Sequence, residues 1–175
     1  MNNYKYDFSI IIPHRDSLQF LPKLFNTLPI SDKVEVILID NSDKPINKED
    51  VLTDKQFKLL YSSPKRGAGG ARNEGIDHSN GKWLIFVDAD DFLPDDALET
   101  FYKYVNSDAE VIYFGMDGIY ADTGERSDRG DGYTQLVKDY LSGRKSEMDL
   151  RLSFASPCSK MVRRELVDRN QIRFD

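Results

Sequence analysis

The sequence predicts an α/β fold, a mostly parallel sheet with helices on both faces, in a single domain of 175 residues. Three observations predict it. Apolar runs of strand length recur at residues 8–12, 34–39, 57–61, 83–87 and 111–114. Helical apolar spacing fills most of the gaps between them, the alternation that builds parallel sheets. The run at 83–87 is apolar throughout, as a strand covered on both faces must be, and it ends directly in Asp88-Ala89-Asp90-Asp91.

In chain order, residues 8–12 form the first strand, which Pro13 should stop because it has no N–H for the ladder. His14-Arg15-Asp16-Ser17 is a polar turn, and Ser17 can cap a helix patterned by Leu18, Phe20, Leu21, Leu24, Phe25 and Leu28. Residues 34–39 form the second strand and end in Asp40-Asn41-Ser42-Asp43, with weakly helical character at 47–54 and a third strand at 57–61. Residues 64–70 read as a glycine-bearing loop, followed by a helix over 71–79 that Asn80-Gly81 closes. After the 83–87 strand, Pro94 and the acidic pair behind it open a helix carrying Ala97, Leu98, Phe101, Tyr102 and Val105. A fifth strand spans 111–114. Residues 115–132 are polar and glycine-bearing and read as a hairpin or mobile loop. A helix over 133–141, a short strand at 160–162 and a helix over 164–170 complete the chain. No internal repeat or domain boundary stands out.

The bulk composition narrows the function. A net charge of −6 argues against nucleic acid as a partner. The single cysteine, Cys158, excludes an internal disulfide and a zinc site built on several cysteines, and fits a reducing compartment. The N-terminus lacks an apolar leader and no run is long enough to span a bilayer, so a cytoplasmic protein with no transmembrane segment is expected.

In a parallel sheet the ends of the first, second and fourth strands share one edge, where open α/β sheets bind ligands. Asp88 and Asp90 can there aim at one hard cation or a sugar hydroxyl, and three clustered carboxylates call for a cation or strong donors. Asp91 and Asp95 read better as turn or helix-capping residues. Asp40-Asn41 offers acceptors and an amide to a base edge or ribose, although alone it reads as an Asx-type turn. The glycines at 67, 69 and 70, with Arg66 and Arg72, either bring N–H groups and charge to a phosphate or are simply flexible. Arg72 is read as ligand-facing. His14, at a strand end, is a possible contact, and His78 is solvated.

Four motifs in order and spacing carry a family resemblance: Ser9-Ile10-Ile11-Ile12-Pro13, Val36-Ile37-Leu38-Ile39-Asp40-Asn41-Ser42, Gly70-Ala71-Arg72-Asn73-Glu74-Gly75-Ile76, and Gly81-Lys82-Trp83-Leu84-Ile85-Phe86-Val87-Asp88-Ala89-Asp90-Asp91. A later match runs from Ser156 to Leu166 and on to Ile172-Arg173-Phe174. Together they resemble the inverting family 2 glycosyltransferases, which have the Rossmann-like GT-A fold. The resemblance implies a nucleotide-binding part over roughly 6–115, with an acceptor-side part beginning over roughly 116–175. It implies a nucleotide-diphospho-sugar donor, UDP-linked by family weight, and a glycan or lipid-linked acceptor. Pro13, His14, Arg15, Asp40 and Asn41 would hold the base. Arg72 would serve the nucleotide side, Asp88 the ribose with Ala89 beside it, and Asp90 would ligate Mg²⁺ or Mn²⁺ on the diphosphate. The family's catalytic base follows the segment matching Ile172-Arg173-Phe174, which places it beyond Asp175 in a truncated domain. A peripheral location at the inner face of a membrane fits the acceptor class.

The chain departs from the family pattern at Arg15-Asp16, where Tyr-Asn is common, and at Asn41-Ser42. Two alternatives compete with the transferase reading. One is a nucleotide-sugar-binding fragment without turnover. The other is a haloacid dehalogenase-like phosphatase with Asp88 as nucleophile.

Overall fold

The computed structural model describes residues 4–120 and 122–175. Its strands are β1 (Tyr6–His14), β2 (Val34–Asp40), β3 (Lys58–Tyr61), β4 (Gly81–Phe86), β5 (Val111–Tyr113), β6 (Gly118–Ile119), β7 (Arg126–Ser127) and β8 (Lys160–Arg163). Its helices are α1 (Leu21–Thr27), α2 (Gly67–His78), α3 (Ala97–Tyr104), α4 (Asp131–Leu141), α5 (Glu147–Ser153) and α6 (Arg164–Asn170). The main sheet has the order β3-β2-β1-β4-β8-β5. β1 pairs in parallel with β2 and β4, β2 pairs in parallel with β3, and β8 runs antiparallel to β4. The mostly parallel α/β sheet is as the sequence predicts. The chain builds outward from β1 to β3 and then returns to the other side of β1, so the order reverses between β1 and β4.

The chain forms two compact units. One runs up to Val111 and is joined by Met161–Asp175; the other is Ile112–Lys160. By compactness Met161–Asp175 belongs with the first unit, a division separate from the nucleotide-side and acceptor-side parts that the resemblance implies.

In the first unit the alternation of β1 sends side chains to two separate cores. Phe8 points to one face, where its ring meets Phe101 and Tyr102 of α3 at 5.7 and 5.2 Å. Trp83, opposite Phe8 in register, is fully buried on the same face and donates its indole N–H to the Val105 carbonyl at 3.1 Å. Ile11 points to the other face and packs with Ile37, Ile39, Leu84 and Phe86, with Ala71 and Ile76 of α2, and with Val167 of α6. Helices therefore cover both faces. Phe8, Ile10, Ile11 and Ile12 are all 0% exposed, so at roughly 2 kcal/mol apiece β1 is the strand on which the rest assembles. Gly75 lets α2 lie close to the sheet, because a Cβ there would overlap Ile11 and Ile39.

Several boundaries differ from the sequence reading, each for a local reason. Pro13 does not stop β1; it stays in register opposite Ile39. Ile11 bonds towards β4 through the Val87 N–H and His14 towards β2 through the Asn41 N–H, so Pro13 faces the β4 side, where pairing has ended. The missing N–H costs no ladder bond there. The segment read as a glycine loop is the first turn of α2, because burial of Gly70, Ala71 and Gly75 overrides poor helix propensity. Gly81 opens β4 instead of closing α2. Ser17 makes no capping bond; its N–H donates to His14, and a 3-10 turn over Leu18–Phe20 leads into α1. Helix α3 starts at Ala97, past the acidic pair.

In the second unit, β6 and β7 form an antiparallel hairpin inside the 115–132 stretch, whose residue 121 lies outside the described residues. Leu136, Leu150 and Phe154 form its core, with the Tyr133 and Tyr113 rings 4.6 and 5.2 Å from Phe154. Helix α5 was not expected. Its signal is the Ser146-x-x-Asp149 capping box, in which the Asp149 N–H donates to Ser146 Oγ at 3.2 Å and the Ser146 N–H to the Asp149 carboxylate at 2.8 Å.

Candidate donor-binding site

At the carboxyl edge of the first unit's sheet, where the strand order reverses, lies a cavity of about 330 Å³. The end of β1 contributes Pro13, His14 and Arg15, and the loop after β2 contributes Asn41. The turn after β4 contributes Asp88, Ala89 and Asp90, while the start of α2 contributes Gly67, Ala68 and Arg72. Of the residues the family resemblance assigns to donor or metal, only Asp40 does not line it; Arg66, Gly69 and Gly70, weighed for a phosphate, do not line it either.

Asp40 is consumed by the scaffold. It is 2% exposed, and its Oδ1 accepts from His14 Nδ1 at 3.0 Å, from Ser42 N at 3.1 Å and from Ser42 Oγ at 2.7 Å. Its Oδ2 accepts from Ile46 N at 2.9 Å. Burial pushes the Asp40 carboxyl up, but the bonds from Ser42, His14 and the backbone of Ile46 and Ser42 outweigh it and hold the group below its usual range. His14 Nε2 accepts the Ser17 N–H at 3.2 Å, so the ring proton sits on Nδ1 and goes to Asp40. Ser42 Oγ also accepts the Asp16 N–H at 3.0 Å. These bonds brace the β1 and β2 loops against each other. Asn41 is likewise committed, its amide donating to Ser62 Oγ and the Ser63 carbonyl. Arg15 is half exposed and reaches Asp43 at 3.3 Å.

The turn after β4 is built differently. The pleat that turns Leu84 and Phe86 towards α2 does the same for Asp88, which accepts from Arg72 Nη2 at 2.6 Å. The Asp91 N–H closes the turn onto the Asp88 carbonyl at 3.0 Å. Asp88 is 40% exposed at its side chain, and Asp90 is exposed with no hydrogen bond or ion pair among the described residues. Partial burial, then the charges of Asp88 and Asp90, push the Asp91 carboxyl up to about 6. One carboxylate without a partner among the described residues and a second with one oxygen free leave oxygen atoms of the kind a hard divalent cation takes.

The sequence did not single out Ser17 and Phe20 as site residues, yet both line the cavity. The spacing of Phe20 places it in the helical stripe, and only its position just after the β1 end marks it otherwise.

The glycosyl transferase family 2 profile matches residues 9–170, and the chain belongs to that family. TarP of Staphylococcus aureus, a poly(ribitol-phosphate) beta-N-acetylglucosaminyltransferase, is 26% identical over 163 residues, covering 88% of this chain and 46% of TarP. The crystal structure of Staphylococcus aureus TarS 1–349 superposes with a TM-score of 0.73 at 21% identity, over 97% of this chain and 50% of that one, which shows the shared GT-A fold. A mannosyltransferase from Pyrobaculum calidifontis, solved with GDP-Man and Mn²⁺, aligns at a TM-score of 0.51 and 18% identity over 63% of this chain and 36% of its own. The chain spans under half the length of the curated relatives it matches. Family membership sets aside the phosphatase alternative, and Asp88 is the partner of an arginine. Among the described residues no helix is long and apolar enough to cross a membrane.

Proposed function

We propose that this chain is the donor-binding part of an inverting glycosyltransferase that takes a nucleotide-diphospho-sugar and serves a glycan or lipid-linked hydroxyl acceptor. The observation that carries it is the meeting of Asp88, Asp90 and Arg72 around one cavity at the switch point of the sheet. TarS has been crystallised with UDP and with UDP-GlcNAc, which supports a UDP-sugar as the first donor to try. The mannosyltransferase complex keeps a GDP-sugar as the second.

In this reading Asp90, with the free oxygen of Asp88, holds Mg²⁺ or Mn²⁺. The cation supplies charge neutralisation for the departing nucleoside diphosphate. Pro13, His14, Arg15 and Asn41 form the wall facing the base, with Asp40 acting behind them through His14 and Ser42. Ala89 lies against the donor, and Asp88 serves both the ribose and Arg72. The acceptor hydroxyl attacks the anomeric carbon from the face opposite the diphosphate. A C–O bond to the acceptor forms as the C–O bond to phosphate breaks, and the hydroxyl proton passes to a base that this reading does not place among residues 1–175.

Calorimetric titration of UDP-GlcNAc and GDP-mannose, with and without Mn²⁺, tests the site. Metal-dependent binding of one of them is expected. No binding of either, in Mn²⁺ or Mg²⁺, would overturn the reading. Where an acceptor and its base support turnover, NMR of the first-formed product should show the inverted anomer.

A further inference from the structure

The segment after α6 is tied to the donor site from behind. Gln171 takes left-handed backbone at φ 50°, ψ 39°, and the Ile172 N–H donates to the Val167 carbonyl at 3.0 Å, which turns the chain back towards α2. There Asn73 clamps Phe174. The Phe174 N–H donates to Asn73 Oδ1 at 2.9 Å, and Asn73 Nδ2 donates to the Phe174 carbonyl at 2.8 Å. Asn73 is 8% exposed, so this pairing satisfies a buried amide that would otherwise lose its water. Arg173 adds an ion pair to Asp77 at 2.7 Å. Gly69 leaves room for the segment, since a Cβ there would overlap the Asp175 carbonyl oxygen and press on Phe174.

The clamp delivers an aromatic ring to Arg72. The Phe174 ring stands edge-on to Phe86 with centroids 5.2 Å apart, and the Arg72 guanidinium lies over it at 5.5 Å. Arg72 is 12% exposed at its side chain and makes one hydrogen bond among the described residues, to Asp88. Its Nε is buried without a hydrogen-bond partner among the described residues. A guanidinium with a single anchoring bond can pivot about it. The ring restricts that pivot, and the guanidinium of this cavity-lining residue keeps N–H donors that Asp88 does not take.

We propose that Phe174 is a positioning residue that sets Arg72 for the diphosphate of the donor, a role that rests on the donor-site reading above. The two come from separate segments of the unit, and the ring acts only through the arginine.

The test compares Phe174→Leu, which keeps apolar volume without a π face, with Phe174→Tyr, which keeps the face. In the ligand-free protein the Arg72 Nε–H resonance should carry a ring-current shift in wild type and F174Y and lose it in F174L. UDP titrated in Mn²⁺ should bind F174L about threefold to tenfold more weakly than wild type, with recovery in F174Y. An unchanged Arg72 resonance in F174L overturns the proposal whatever binds. So does wild-type UDP affinity in F174L, or an equal loss in F174Y, since either makes Phe174 packing only. A wild type that binds neither UDP nor GDP in Mn²⁺ overturns the donor-site reading and with it the diphosphate role. The ligand-free resonance then decides whether Phe174 sets Arg72.

Discussion

Asp40 at the end of β2 and Asp90 just past the end of β4 both follow an apolar strand into the same sheet edge, yet one is buried and the other open. Asp40 receives two side-chain and two backbone donors and has no oxygen left for a ligand. Asp90 receives none among the described residues, and Asp88 receives one, from Arg72. The difference teaches that a carboxylate's role is read from its donors. A saturated carboxylate at a strand end shapes the loops, while an unsaturated one facing a cavity keeps oxygen atoms open to it.

The largest effect expected from this contrast is on stability. Asp40→Asn places an amide NH₂ against the Ile46 N–H or takes an acceptor from Ser42 and His14, and should cost about 3 kcal/mol in denaturant unfolding. The pH dependence has a definite sign. Because the folded pKa of Asp40 is depressed, its contribution is present above about pH 4 and is lost as pH falls through the folded value. The gap between wild type and Asp40→Asn should therefore be constant near neutrality and narrow in acid. A wild-type-stable Asp40→Asn protein would break the comparison at the β2 end.

Next in size, Asp90→Asn should leave the unfolding midpoint unchanged, because the side chain is exposed and has no hydrogen bond or ion pair among the described residues. It should reduce metal-dependent nucleotide binding or turnover by roughly 100-fold. Loss of fold in place of loss of binding would break the comparison at the β4 end.

The smallest effect is a titration. Asp91 should titrate near 6 by carbon-detected NMR in the metal-free protein and shift down, though not to the ordinary carboxylate value, when Asp90→Asn removes the smallest of its three raising causes and leaves desolvation and Asp88 in place. An acid raised in the folded state contributes stability while protonated, so this contribution is lost as pH climbs from about 3.8 to about 6. An Asp91 titration unaffected by Asp90→Asn would mean that the three carboxylates do not share a field.

Much of the fold was legible because its signals are local. The strands at 8–12, 34–39 and 83–87 are contiguous apolar runs, and α3 shows its stripe in Ala97, Phe101 and Tyr102. The errors came where a neighbour overrode a local rule. Pro13 stays in β1 because β4 has already stopped pairing, and Gly67 to Gly70 are helical because α2 packs on the sheet. Asp88, Asp90 and Arg72, which line the cavity, were legible as neighbours of one sheet edge. The division of labour at that edge was not, because Asp40 and Asp88 look alike until their partners are counted.

The amino-acid order by itself determined where strands and helices form and which strand ends carry acid, since these follow from residues one to four positions apart. Only the tertiary structure decided which acid is spent and which arginine is held. The donors that saturate Asp40 include His14, 26 residues away, and the Asn73–Phe174 clamp behind Arg72 closes across 101 residues. No periodicity in a sequence reports distances of that kind, because they depend on where the sheet brings its edges together.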